Sequence, residues 1–349
     1  MHRSGTSAVA GLLVRLGAQG PKTLMPANSD NPAGYWESAV FHELHERLLR
    51  AAGSRWDAFT RLEPDQLRLA MPAGLSDEYR GALRTEFGDA QRFVLKDPRM
   101  CRFVPFWFEI LQMGRVTPAA ILVLRSPAEV ARSLAVRNGF DSNLSLLIWL
   151  RHALDAEHDT RAVRRTFVRY SDVLKNWASV AERISQDLHL PWPARPAIDE
   201  AEIDRFVDPR LRHHAGDPYA AVVPSVLSDW TQRTWTALGW LHDRDPGRAG
   251  QALAALDEIY EEFGRHTSVL DCLERERHAL NERAAGLEAL RDALQRRIEE
   301  LERGAGVLRR EADEIRQELA AAQAYAEALR QSASWRVTAP LRAVYRIFR

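Results

Sequence analysis

Apolar residues recur along this chain with three periods, and each period predicts a different element. Val9, Leu12, Leu13 and Leu16 stand at i, i+3, i+4 and i+7, one face of an amphipathic helix, with Gly17 just past it where a helix end favours positive φ. Val40, Phe41, Leu44, Leu48 and Leu49 predict a second helix, and Leu146, Leu147, Leu150 and Leu154 a third within residues 144–158. A fourth follows from Leu174, Trp177, Val180 and Ile184. Short apolar runs at 93–96, 119–124 and 166–169 suit buried strands, each ended by a turn: Asp97-Pro98, Ser126-Pro127 and Ser171-Asp172. After the second of these a helix is expected from Pro127, with Glu129 in its first turn and Val130 and Leu134 facing inward. Residues 227–263 are expected to be helical throughout, with Trp230, Trp235 and Trp240 as packing. Residues 53–91 are weakly patterned, and Trp56, Phe59 and Leu62 there are expected to cover the core or a site.

The third period is seven. Leu273, Leu280, Leu287, Leu294, Leu301, Leu308, Ile315, Ala322 and Leu329 recur without a break, with a weak companion series at Leu270, Arg277, Ala284, Arg291, Ile298, Ala305, Ala312, Leu319 and Ala326. This predicts a coiled coil, weakened in its middle by Gly304 and Gly306 at roughly 1 kcal/mol each. A lone helix would leave that stripe in water, so a partner is expected, most simply a second copy. The division expected is a globular domain over 1–265, a coil over 266–331 and a tail over 332–349. The tail is basic and aromatic with no acid, which suits an anionic membrane surface or an acidic partner, against the bland reading of a frayed end.

Composition narrows the class without naming it. Lys+Arg and Asp+Glu are both 48 in 349 residues, so no excess charge argues for nucleic acid. Cys101 and Cys272 are the whole cysteine content, which is no disulfide framework or metal cluster and fits a reducing, cytoplasmic compartment. His213-His214 have no second ligand pair at matching spacing, so no metal is expected.

Candidate chemistry begins at the first residues. Arg3-Ser4-Gly5-Thr6-Ser7 is a small, hydroxyl-rich loop leading into the first helix. Free N–H groups at a helix start, a glycine and an arginine fork make an anion site; the competing reading is an ordinary capped helix after a chain terminus. His-Arg-Ser-Gly-Thr-Ser before an apolar helix resembles the 5′-phosphosulfate loop of the sulfotransferases, P-loop-like α/β enzymes that use 3′-phosphoadenosine 5′-phosphosulfate (PAPS). It is not a Walker A loop, since no Gly-Lys-Ser/Thr ends it.

The same resemblance runs further along. Asn31-Pro32-Ala33-Gly34-Tyr35-Trp36-Glu37 resembles a segment whose acid faces the acceptor, which makes Glu37 the candidate general base; the plainer reading is an acid favoured at a helix start. Lys96-Asp97-Pro98-Arg99 resembles another family segment, and charges at a strand's C-terminal end belong at the ligand crevice, or else are solvated turn charges. Arg125 and Ser133, eight residues apart across a strand end and a helix, match the pair that holds the 3′-phosphate of PAPS. Arg169-Tyr170-Ser171-Asp172 resembles a string whose Tyr lies near the adenine, although a strand-end Tyr is more often core.

The resemblance thus implies a three-layer, P-loop-like α/β domain with a parallel sheet. It implies Arg3 and Glu37 as catalytic residues, and Arg3, Ser4, Gly5, Thr6, Ser7, Arg125, Ser133 and Tyr170 as PAPS-binding ones. It also implies that a strand ought to precede the loop, so the chain reads as lacking its first strand, with a gap or exposed ladder edge beside the loop. A tail of this kind resembles those of bacterial polysaccharide enzymes, which points to a glycan hydroxyl as acceptor. The alternatives are a nucleotide kinase, disfavoured by the missing lysine, and a non-catalytic remnant serving as a coiled-coil scaffold.

Overall fold

A computed structural model describes residues 1–28, 31, 34–192, 199–207 and 225–347. It divides into two compact bodies, Met1–Arg277 and His278–Arg349.

The first body is mostly helical around one small parallel sheet. β1 (Ala119–Leu124) and β2 (Arg164–Arg169) pair in parallel, Leu122 opposite Phe167 and Val123 opposite Val168. The crossover between them is made by α6 (Pro127–Asn138) and α7 (Ser142–Asp159). Leu122, Leu124 and Phe167 face a core of Val130, Leu134, Trp149, Leu150, Leu154, Trp230, Leu256 and Phe263. The other face takes Ile121, Val123 and Val168, under α1 (Thr6–Arg15) and α9 (Trp177–Leu188), through Leu12, Leu16, Val180 and Ile184. Alternation along the strands feeds these two cores, so helices cover both faces of the pair. A third core joins α2 (Ala39–Ala51), α4 (Leu75–Phe87) and α5 (Val104–Met113) around Phe41, Leu48, Tyr79 and Trp107.

Three expectations change. Residues 93–96 form no strand: the segment makes one parallel bridge, Phe93 to Gln19, closed by Gln19 N–H on Arg92 O (2.9 Å) and Val94 N–H on Gln19 O (2.9 Å). A strand is made by its neighbour, and among the described residues nothing longer lies beside Phe93, nor does any segment pair with β1 on the edge away from β2. Residues 227–263 are two helices, α11 (Val226–Asp243) and α12 (Ala249–Ser268). The break is Arg244, left-handed at φ 54, followed by Asp245-Pro246-Gly247, where proline cannot supply a helical N–H.

The third change is the boundary expected at 265. α13 (Asp271–Gln331) starts inside the first body, where the buried Glu274 carboxylate accepts the Phe59 N–H at 2.7 Å, the Thr60 N–H at 3.1 Å and the Thr60 hydroxyl. Heptad spacing hid this, because Leu273 and Arg277 fit the repeat on either side of Glu274.

At 61 residues α13 is about 90 Å long. Its heptad residues, from Leu273 through Leu280, Leu294 and Leu308 to Leu329, are exposed on the single chain. The full chain is therefore expected to sediment as a dimer or higher oligomer, and a chain shortened to Arg277 as a monomer. A full-length monomer at micromolar concentration would mean that the stripe pairs with another protein.

Candidate active site

The site is built at the start of α1. Gly5 caps the helix at φ 85, and an added Cβ would lie 2.2 Å from Tyr170 Cδ2. Only glycine fits, for conformation and for space. Arg3 is also left-handed (φ 61), an uncommon state outside glycine that the surrounding contacts must hold.

Those contacts join residues predicted from separate motifs. Arg3 Nε donates to Ser133 Oγ at 2.7 Å, and Arg125 Nη1 donates to the Arg3 carbonyl at 2.8 Å. Arg125 leaves the end of β1, and Ser133 lies on α6. The Arg125 guanidinium sits 5.1 Å from the centre of the Tyr170 ring, and its Nε pairs with the buried Glu129 at 2.9 Å. Tyr170 is itself buried and forms the floor on which Gly5 rests.

The other side of the loop is held by Lys96. Its Nζ donates to Ser7 Oγ at 3.1 Å and to the Tyr35 carbonyl at 3.1 Å, and it pairs closely with Glu37 Oε1. Glu37 is buried and precedes the cap of α2. Ser38 is that cap, accepting the Phe41 N–H at 3.2 Å, so the Glu37 carboxylate is committed to Lys96 rather than to a helix start. Burial raises the Glu37 carboxyl above its ordinary value despite Lys96, and burial lowers the Lys96 ammonium despite Glu37. Lys96 belongs to a strand-end motif in the sequence, and its reach to Ser7 and Glu37 depends on folding.

Behind this pair Asp97 and Arg99 of the same motif are not solvated turn charges but the centre of a buried network. Arg99 grips Asp97 through Nε–Oδ1 and Nη2–Oδ2, both 2.8 Å, reaches Glu46 at 2.6 Å and lies 3.6 Å from Glu37 Oε2. Trp107 Nε1–H donates to His45 Nε2 at 3.1 Å, which leaves Nδ1 as the ring donor to Asp97 Oδ2 at 2.8 Å. Burial alone would raise the Asp97 carboxyl, but His45 and Arg99 outweigh it and hold it well below its ordinary range.

The structure thus brings Arg3, Gly5, Arg125, Ser133 and Tyr170 into one contact set and Ser7, Glu37 and Lys96 into another, joined through the loop. Ser4 is buried within the loop and Thr6 opens α1. His213 and His214 lie outside the described residues. Among these groups three cations, Arg3, Arg125 and Lys96, gather around hydroxyls and a helix start whose first N–H groups have no intrahelical acceptor. That donor set suits an oxyanion ligand. The class defined is a mostly helical domain around a small parallel sheet, with a cation-rich loop at a helix start. No family model, curated protein or solved structure matches the chain, so the reading rests on this geometry.

Proposed function

We propose that the chain is a PAPS-dependent sulfotransferase acting on a hydroxyl of a glycan or cell-surface polysaccharide. The observation that carries this is the meeting of Arg3, Arg125 and Ser133, drawn from two motifs over 120 residues apart, with Arg3 hydrogen-bonded to both of the others. Bound PAPS would supply a sulfonyl group for in-line transfer to the acceptor oxygen, with adenosine 3′,5′-bisphosphate leaving.

The residues divide that work. The N–H groups and hydroxyls of Ser4–Ser7 hold the 5′-phosphate, and Arg125 with Ser133 holds the 3′-phosphate. Tyr170 supports the loop from beneath. Arg3 and Lys96 stabilise the charge that builds on the leaving oxygen. Glu37 accepts the proton of the acceptor hydroxyl, a task to which its raised affinity for protons is suited. Once Glu37 is protonated, Lys96 loses its carboxylate partner, and its charge turns toward Ser7 and the leaving group.

Glu37→Gln is expected to keep nucleotide affinity and to lower turnover about 10²- to 10⁴-fold, because an amide cannot accept the proton. In the unaltered chain the rate should fall with pH as Glu37 protonates, at a value above the ordinary 4.5, and fall again as Lys96 loses its charge, below the ordinary 10.5. Near-normal turnover in the Gln variant would move the base elsewhere, His2 and His42 being the next candidates.

A further inference from the structure

We propose that the C-terminal tail is a docking element for the anionic surface of a lipid bilayer. This stands apart from the sulfotransferase reading and rests on residues 332–347 and the sequence around them.

The coil's seam stops before the tail. After Leu329 the next position of the leucine series is Arg336, and after Ala326 the companion positions are Ala333 and Pro340. A second copy paired through the coil therefore cannot cover the tail's apolar residues by continuing the repeat. The helix also breaks. Ser332 caps a new short helix, α14 (Ala333–Val337), by accepting the Trp335 N–H at 3.3 Å, and Thr338 separates it from α15 (Ala339–Ile347).

The break is pinned by one side chain. Arg342 lies 3.8 Å from the centre of the Trp335 ring and donates to the Trp335 carbonyl (2.5 Å) and to Thr338 Oγ1 (2.7 Å). It fixes a tryptophan beside a cation at the bend. Around that bend Trp335, Val337, Leu341 and Val344 are 43%, 78%, 73% and 54% exposed, so the apolar side chains point into solvent among the described residues. Five arginines and no acid follow Glu327.

Apolar side chains beside tryptophan and arginines, on two helices of 5 and 9 residues, are the chemistry of a headgroup boundary. An acidic protein is the weaker fit. Helices this short offer far less than the roughly 800 Å² per partner of a stable protein interface, whereas a bilayer surface needs only that the apolar chains enter while the arginines meet the anionic headgroups.

The test is sedimentation of the full chain with vesicles of phosphatidylcholine alone or with added phosphatidylserine, helix content being followed by circular dichroism. Binding is expected to the serine-containing vesicles only and to weaken with salt. Arg336→Glu with Arg342→Glu should reduce it about tenfold or more through charge, and Leu341→Asp with Val344→Asp by a similar factor through lost insertion. The second pair leaves the Arg342–Trp335 contact intact, so a loss there cannot come from opening the bend. Equal binding to both vesicle types, binding to neither, or retention by both double variants would overturn the proposal.

Discussion

Arg3→Ala is expected to lower turnover about 10²- to 10³-fold, the usual cost of removing one donor from a charge-stabilising site. Arg125→Ala is expected to act chiefly on nucleotide affinity, weakening it roughly ten- to a hundredfold through the loss of a charged hydrogen-bond donor. The two residues are not independent, since Arg125 donates to the Arg3 carbonyl and thereby helps hold Arg3 at its left-handed backbone angle. The double variant should therefore lose less than the product of the single losses. Binding isotherms and steady-state rates on the same preparations separate the two roles. An Arg125→Ala variant with unchanged nucleotide affinity would remove the 3′-phosphate assignment while leaving Arg3 in place.

The second large effect is on stability. Asp97→Asn should cost about 3 kcal/mol in denaturant unfolding, because it takes from the buried Arg99 the carboxylate it grips through two nitrogens, leaving Glu46, and gives His45 an amide in place of its charged acceptor. The pH dependence carries the same signature. In the fold the Asp97 carboxyl titrates well below its ordinary 3.8, so its contribution is complete above that value and is lost as pH falls through it toward the folded one. Stability of the unaltered chain should thus drop, as pH falls below the ordinary carboxyl value of 3.8, more steeply than that of the Asn variant. Parallel curves would show that Asp97 is not the anchor of this network. Lys96 and Glu37 lean on it through Arg99, so the variant should also lose turnover at temperatures where it remains folded.

Much of the site was legible because its residues carry local signals. A glycine before an amphipathic helix and an arginine ending an apolar run are readable from neighbours a few positions away, and Gly5, Arg125 and Ser133 fall where those signals put them. Lys96 was visible as a motif, but its task depends on Ser7 and Glu37, 89 and 59 residues away. His45 carries no signal at all, since a histidine on the inner face of a helix reads like any core residue until Asp97 and Trp107 are seen beside it. The strand expected at 93–96 shows the reverse limit. β character in a short run is a statement about what the run could pair with, and among the described residues it finds Gln19 alone. Glu274 was masked by a true pattern, the heptads, which describe the outer faces of α13 and say nothing of a carboxylate turned toward Phe59 and Thr60.

Together the loop and the Arg125–Ser133 pair are expected to recognise a nucleotide with phosphates on both the 3′ and 5′ carbons. Calorimetric titration of the full chain with adenosine 3′,5′-bisphosphate and, separately, with ATP measures this without knowledge of the acceptor. A single site is expected that prefers the bisphosphate by about tenfold or more, since only that ligand engages Arg125 and Ser133. Tighter binding of ATP, or no heat with either nucleotide, would contradict it, the latter leaving the globular body as a scaffold for the coil.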